Sequence, residues 1–244
     1  MLWGRSRSSM VARPRPVPRA VVVSIGGSVL LTGANDRAYV ESLAELLRTI
    51  GRTVPLAVTT GGGRVAREYI RLGRELGLTE VELDELGIEV TRLNARLLAA
   101  RVGSPTPAHP PTTIALAAHE LARASPVILG GTEPGHTTDG VAALLAARLR
   151  AERFVNATDV DGLYEEDPRT HPDARRIAHL RWPEFRRRVH AATSGEAGQN
   201  FVFDRLGADT LSRAGIPLAI VQGRDLANLE RAIRGRAFAG SRVD

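Results

Sequence analysis

Residues Gly130 to Leu149 read GGTEPGHTTDGVAALLAARL. Ahead of them, Pro126 to Leu129 (PVIL) is a short apolar run of the length of a buried strand. Two glycines, a proline and a third glycine then force an irregular loop. From Val141 onward, Leu144, Leu145 and Leu149 take up a helical spacing, with Thr137, Thr138 and Asp139 crowded at its start. A strand, a glycine–threonine loop and a helix N-terminus make an anion-binding geometry. Backbone N–H groups without intrahelical partners point outward, and the helix dipole favours negative charge there. Threonine hydroxyls add donors without adding charge, which suits an exchangeable phosphate. Taken alone, Thr138 or Asp139 reads as an ordinary helix cap. The glycines ahead of it, and two similar features elsewhere, favour a ligand.

Working outward, the same alternation recurs along the chain. Val21 to Ile25 is a β-branched run ending in Gly26-Gly27-Ser28, and a helix follows with Val40, Leu43, Leu47 and Ile50 on one face, capped by Asn35 or Asp36. Val54 to Val58 predicts a second strand, running into Thr59-Thr60-Gly61-Gly62-Gly63. Val65, Tyr69, Leu72 and Leu76 mark a helix, and Leu86, Val90, Leu93 and Leu97 another. A Pro-rich stretch precedes a short helix over Thr112 to Ala124. Phe154 to Ala157 predicts a fourth strand, feeding Thr158 to Pro168. A looser segment to about Asn200 leads to a helix near Asp204 to Ala214, a strand at Leu218 to Val221 and a last helix near Leu226 to Ile233. Strands alternating with helices predict an α/β fold, with a mainly parallel sheet covered on both faces, in one domain over residues 20–244. Ligands of such sheets gather at the carboxyl ends of the strands. Four strand ends carry glycine or polar loops (26–28, 61–63, 130–138 and 158–167), and neighbouring strands would line one crevice with them.

Composition narrows the chemistry. There is no cysteine, so disulfides, thiolate metal sites and cysteine nucleophiles are excluded, and the six histidines show no ligand-like spacing. All 33 basic residues are arginine. Without lysine, a P-loop kinase and Schiff-base chemistry are excluded, and positive charge on a phosphate must come from arginine, a metal or helix N-termini. The net charge of +6 is concentrated in residues 1–19, where Arg5, Arg7, Arg13, Arg15 and Arg19 stand without an acid. The remainder carries 28 basic against 27 acidic residues, a net of +1. The excess thus belongs to a Pro/Arg/Ser tail of disordered composition, and aromatics at 4% give no basic–aromatic interleaving, so a nucleic-acid-binding core is not expected. No apolar run reaches the ~20 residues of a membrane span, and the tail lacks a signal-type apolar stretch, so a cytoplasmic protein is expected.

Each motif has a plainer reading beside the functional one. Gly26-Gly27-Ser28 alone is a strand-ending turn. Gly61 to Ala66 (GGGRVA) fits the loose dinucleotide pattern only weakly, since it follows the second strand. Three glycines before a helix nevertheless permit close backbone approach to phosphates. Arg64 and Arg67 sit near that helix N-terminus, where they oppose the dipole unless an anion is bound. In Thr158 to Pro168 (TDVDGLYEEDP) the acids miss the EF-hand positions, which disfavours calcium, and Tyr164 can stack on a base.

The segments VVVSIGGSVL, TTGGGRVAREYI, LDELGIEVTRLNARLL, GGTEPGHTTDGVAALLA and ATDVDGLYEEDP resemble, in order and spacing, those of the amino acid kinase superfamily, and within it the archaeal-type uridylate (UMP) kinases. The resemblance covers roughly residues 20–235 and is most specific in GGT-x-PG-x-TTD followed by VDG-x-Y-x-x-DP. It implies a three-layer αβα sandwich and phosphoryl transfer from ATP to UMP, yielding UDP and ADP. Carried over position by position, Gly27, Ser28, Gly63 and Arg67 would meet the ATP phosphates, and Thr158, Tyr164 and Asp167 the adenosine end. Gly62 and Asp84 would contact UMP, and Thr132, Glu133, Pro134, Gly135, His136, Thr137 and Thr138 would wrap its uracil and phosphate. Asp139 and Asp204 match acids expected to orient the site or its hydrated Mg²⁺, which would be bound mainly through ATP; with Arg67 they are the candidate catalytic residues. The resemblance also implies a homohexamer.

Related kinases of the superfamily often carry lysine where this chain has Ser24. Two alternatives follow. An isopentenyl phosphate kinase usually has that lysine and a G-x-GS-F-GH segment, where this chain reads GGGRVAR. A non-catalytic nucleotide or oxyanion binder on the same fold draws its support from the missing lysine.

Overall fold

Three valines, a serine and an isoleucine offer water almost nothing on either face, and Val21–Ile25 is the fully buried central strand β1. The computed structural model describes residues 19–166, 170–171, 173–193 and 203–244. After β1 come α1 (Gly27–Leu30), α2 (Asp36–Gly51), β2 (Leu56–Thr60), α3 (Gly63–Glu75), α4 (Glu80–Val102) and α5 (Ile114–Leu121). They are followed by β3 (Val127–Leu129), α6 (Thr138–Leu149), β4 (Arg153–Thr158), β5 (Leu163–Tyr164), β6 (Arg176–Ile177) and β7 (His179–Leu180). The rest of the described chain forms α7 (Trp182–Thr193), α8 (Arg205–Ala214), β8 (Leu218–Gln222), α9 (Leu226–Ile233) and β9 (Ser241–Val243).

Seven strands form one sheet in the order β3-β2-β1-β4-β8-β9-β7. The first five are parallel to one another, and only the β8–β9 pair is antiparallel. Strand alternation divides the core. Val22 and Phe154 face a layer of α5, α6, α7 and α8, where Phe154 and Phe203 stack edge to face with centroids 5.6 Å apart. Val21, Val23 and Ile25 face α1, α2, α4 and α9. The expected αβα layering is therefore present. Chain order reverses on either side of β1, which places a crevice at the carboxyl ends of β1, β2 and β4.

Several expectations are corrected. The second strand runs over 56–60 rather than 54–58, so it continues directly into its glycine loop. The loop expected over 158–168 contains strand β5, and the looser segment after it contains β6, β7 and α7; the helix expected over 112–124 is only eight residues long; and the terminal β9 was not anticipated. The apolar stripe of α3 does not enter the core: Tyr69 is 54% and Leu76 71% exposed, with Val65 and Leu72 beside them. On α4, Leu93 and Leu97 are likewise exposed, while Leu83, Ile88, Val90, Ala95 and Leu98 are buried. Periodicity identifies an apolar face without saying what covers it.

Helix α4 crosses the chain at Gly130 with no room to spare. A Cβ there would lie 2.6 Å from Arg92 N and 2.7 Å from Thr91 C. Gly130→Ala should cost about 3 kcal/mol, lowering the midpoint of thermal unfolding by about 6–12 °C. Gly87→Ala, on the same helix and 3.4 Å from only a flexible Ile70 methyl, should leave the midpoint unchanged or slightly higher.

Candidate active site

Two glycine loops meet backbone to backbone at the sheet's carboxyl edge. Gly61 donates its N–H to Ile25 O at 2.9 Å. A Cβ on Gly27 would lie 2.0 Å from Gly63 N, and one on Gly61 2.5 Å from Gly27 N. Gly63 also has φ +64°, the left-handed conformation that favours glycine. This contact brings the N-termini of α1 and α3 together, with Gly27 and Ser28 on one and Gly62 and Gly63 on the other. Neither N-terminus has a side-chain cap, whereas α4, α6 and α8 are capped by Thr79, Thr137 and Asp204. Uncapped first-turn N–H groups are donors held open for an anion. Arg67 stands exposed at the start of the second turn of α3, without a hydrogen-bond or ion-pair partner among the described residues.

Beside this junction lies a cavity of about 230 Å³. Its apolar walls are Ala66 and Ile70 of α3 and Ile88 of α4; its polar rim is Asp84, Thr91, Gly131, His136, Thr137 and Thr138. Buried Thr132 Oγ1 has no hydrogen-bond partner among the described residues, and buried His136 Nδ1 is 3.2 Å from Glu133 but out of line for a hydrogen bond. Glu133, Pro134 and Gly135 form the exposed outer lip. Asp84 accepts a hydrogen bond from Gly135 N at 2.7 Å and so ties α4 to that lip.

The middle of α4 holds both loops. Thr91 Oγ1 accepts from Gly131 N at 2.7 Å, and Arg92 donates to the carbonyls of Gly131 and Thr132, each at 3.1 Å. Asn94 Nδ2 donates to Gly61 O at 2.8 Å, and Thr60 Oγ1 to Thr91 O at 3.0 Å. Sequence reasoning missed Ile70, Ile88, Thr91, Arg92 and Asn94. A threonine and an asparagine three residues apart in an otherwise apolar helical face were the available signal, since polar groups buried there require partners.

The N-cap of α6 is Thr137, whose hydroxyl accepts from Gly140 N at 3.0 Å; Thr138 and Asp139 are already helical, which corrects the expected cap. Asp139 is thereby free to turn inward, where Ser24 Oγ donates to its Oδ1 at 2.5 Å. Burial, and then the nearby Asp204 carboxylate, push the Asp139 carboxyl up to about 7, while the Ser24 hydrogen bond pulls it back down. Asp204 caps α8 through Gly207 N at 2.6 Å and accepts a short hydrogen bond from the Thr137 hydroxyl. Asp139, Asp204 and Thr137 thus form one connected group.

Across β1, the end of β4 supplies Thr158, whose carbonyl accepts from Gly223 N at 2.8 Å. Tyr164 donates to Asp161 at 2.7 Å, which holds the phenol above its ordinary range, and Arg176 pairs with the same carboxylate at 2.9 Å. Asp167 lies outside the described residues. Among the described residues no cluster of three acidic or histidine side chains is placed to hold a metal ion.

Arg92→Ala should loosen the Gly131–Thr132 loop and raise the KM of the acceptor about tenfold, with the KM of the donor nucleotide little changed in steady-state kinetics. Asp139 binds its proton more tightly folded than unfolded, so its contribution to stability is present below about pH 4 and lost as pH rises through about 7. In ligand-free protein, Asp139→Asn should therefore gain on the order of 2–4 kcal/mol over the parent between pH 5 and 9 in urea denaturation.

The model of the amino acid kinase family matches residues 19–222. The uridylate kinase of Methanothrix thermoacetophila is 42% identical over 215 residues, covering 88% of this chain and 95% of that one. The uridylate kinase of Archaeoglobus fulgidus is 38% identical over 218 residues, covering 89% and 96%. The crystal structure of uridylate kinase from Archaeoglobus fulgidus superposes with a TM-score of 0.83 at 36% identity, over 92% of this chain and 100% of that one. The UMP kinase structure from Bacillus anthracis, at 19% identity and a TM-score of 0.75 over 93% and 96%, shares the fold. With these matches spanning most of its length, the chain belongs to the amino acid kinase family, among its uridylate kinases.

Proposed function

We propose that this protein transfers the γ-phosphoryl group of ATP to UMP, giving ADP and UDP. The observation that carries the reading is the junction of two uncapped helix N-termini between a base-sized cavity and the β4 loop, in a chain from the uridylate kinases. UMP would sit with its uracil between Ile70 and Ile88 and its ribose towards Asp84. Its phosphate would face Gly62 and Thr138. ATP would lie across Thr158 and Tyr164, with its phosphates on the amides of Gly27, Ser28 and Gly63. An oxygen of the UMP phosphate attacks the γ-phosphorus, and the bond to the β–γ bridging oxygen breaks, leaving ADP. The attacking phosphate is already ionised, so no general base is required, and the protein's part is alignment and charge neutralisation.

Arg67 would supply the mobile positive charge, and the loop amides the fixed donors. Mg²⁺ would enter with ATP on its phosphate oxygens and offset the charge of the transferring group. Asp139 and Asp204 would keep the amide-bearing helices in register around it. The reaction would take place in the cytoplasm; among the described residues no helix is long and apolar enough to cross a membrane. The exposed apolar side chains of α3 and α4 fit a homo-oligomer, in which Tyr69, Leu72, Leu93 and Leu97 would be covered.

With Mg-ATP, a coupled ADP-release assay should show turnover with UMP well above CMP, AMP and isopentenyl phosphate. Turnover confined to another acceptor, or ATP binding without transfer, would overturn the reading. Arg67→Ala should lower kcat/KM for ATP about 10–100-fold with the fold intact. Light scattering should show that Leu72→Arg reduces the particle size of the parent.

A further inference from the structure

We propose that Ser24 is a positioning residue for phosphoryl transfer, its buried hydroxyl fixing the Asp139 carboxylate across the gap between β1 and α6. The proposal rests on the kinase reading above and goes beyond it, because Ser24 touches neither nucleotide in that reading.

Ser24 is the only polar residue of β1 and is 1% exposed. Alternation along the strand turns it to the side of Val22, towards α6. For packing alone, alanine or valine would serve, since a hydroxyl buried without a partner costs about 1–3 kcal/mol. Its partner is a carboxylate 115 residues away in sequence, at 2.5 Å. A hydrogen bond to an ionised acceptor at that distance is of the short, charge-assisted kind.

The groups around Asp139 explain why one hydroxyl matters. From α8, Asp204 presents a like charge. The donors nearest that acid are already committed, Gly207 N and the Thr137 hydroxyl to Asp204 itself. From α6, the Thr137 cap is thus turned to Asp204 and Gly140. Among the described residues Ser24 is the one side chain seen to donate to Asp139. Without it, the carboxylate is left beside Asp204 with its Oδ1 unpaired, and it takes up a proton or swings away. Either response moves the first turn of α6, which carries Thr138 at the acceptor cavity.

The test compares the parent with Ser24→Ala, Asp139→Asn and the double variant, as full-length protein with UMP and Mg-ATP from pH 6 to 9. Loss of a hydrogen bond to the charged form raises the proton affinity of Asp139, so the acid limb of kcat should move up by about one pH unit. At pH 7, kcat should fall about five- to tenfold, the deficit should shrink by pH 9, and both KM values should stay within about twofold. The double variant should be no slower than Asp139→Asn alone. A loss equal at every pH, or additive with Asp139→Asn, would make Ser24 a packing residue and overturn the proposal. Carboxyl-carbon NMR of ligand-free protein decides the point independently of turnover: the Asp139 titration should lie higher in Ser24→Ala, and an unmoved midpoint rejects it. If the parent does not phosphorylate UMP, the kinase reading fails while the NMR comparison still stands or falls on its own.

Discussion

Gly27 and Gly63 touch through their backbones, and the rest of the site depends on that contact. A single methyl on Gly27 would lie 2.0 Å from a backbone nitrogen and would have to push β1 and β2 loops apart. Because the contact is made by main chain, it places two helix N-termini side by side at a separation that side chains could not reach. In the proposed reading, phosphate charge is met by these peptide N–H groups and by Arg67, since this chain contains no lysine. The peptide donors are fixed before the ligand arrives, so little reorganisation is needed when charge shifts during transfer.

Helix α4 converts this junction into a cleft with two unlike halves. Asn94 grips the first-side loop through Gly61 O, and Thr91 and Arg92 grip the other through Gly131 and Thr132. Over one turn, the same helix therefore sets the spacing between the Gly27–Gly63 junction and the cavity beside it. Its opposite face is the exposed Leu93 and Leu97. Burial of that face by a second copy would stiffen the helix that spaces the cleft. The Ser24–Asp139 bond does a similar task from the sheet side, joining β1 to the start of α6.

What could be read from sequence was what local chemistry determines. β1 and the glycine loops are visible because β-branched runs and consecutive glycines have few alternative conformations. Alternation with helices predicts parallel strands but not their order; the observed order β3-β2-β1-β4 brings the loops at 26–28, 61–63, 130–138 and 158–166 to one edge. Long-range pairing was less legible. β9 closes antiparallel on β8 through residues at the chain's end, and nothing in SRV marks a strand. Helix α7 was missed because Arg186, Arg187 and Arg188 break its apolar spacing. The stripe on α3 was visible but its covering was not, and the residues of α4 that hold the loops looked like ordinary helix interior. Thr137 lost its capping role to Thr138 or Asp139 in the sequence reading because all three are good caps, and only the folded geometry chooses among them.

The uncapped helices, the braced cavity and the β4 loop form a single argument for two nucleotides meeting end to end at the Gly27–Gly63 junction. The most direct measurement is a crystal structure with UMP and a non-hydrolysable ATP analogue bound together. The account predicts uracil between Ile70 and Ile88, and the γ-phosphoryl mimic on the amides of Gly27 and Gly63, in line with the UMP phosphate. Nucleotides seated elsewhere, or phosphates held away from that junction, would contradict it.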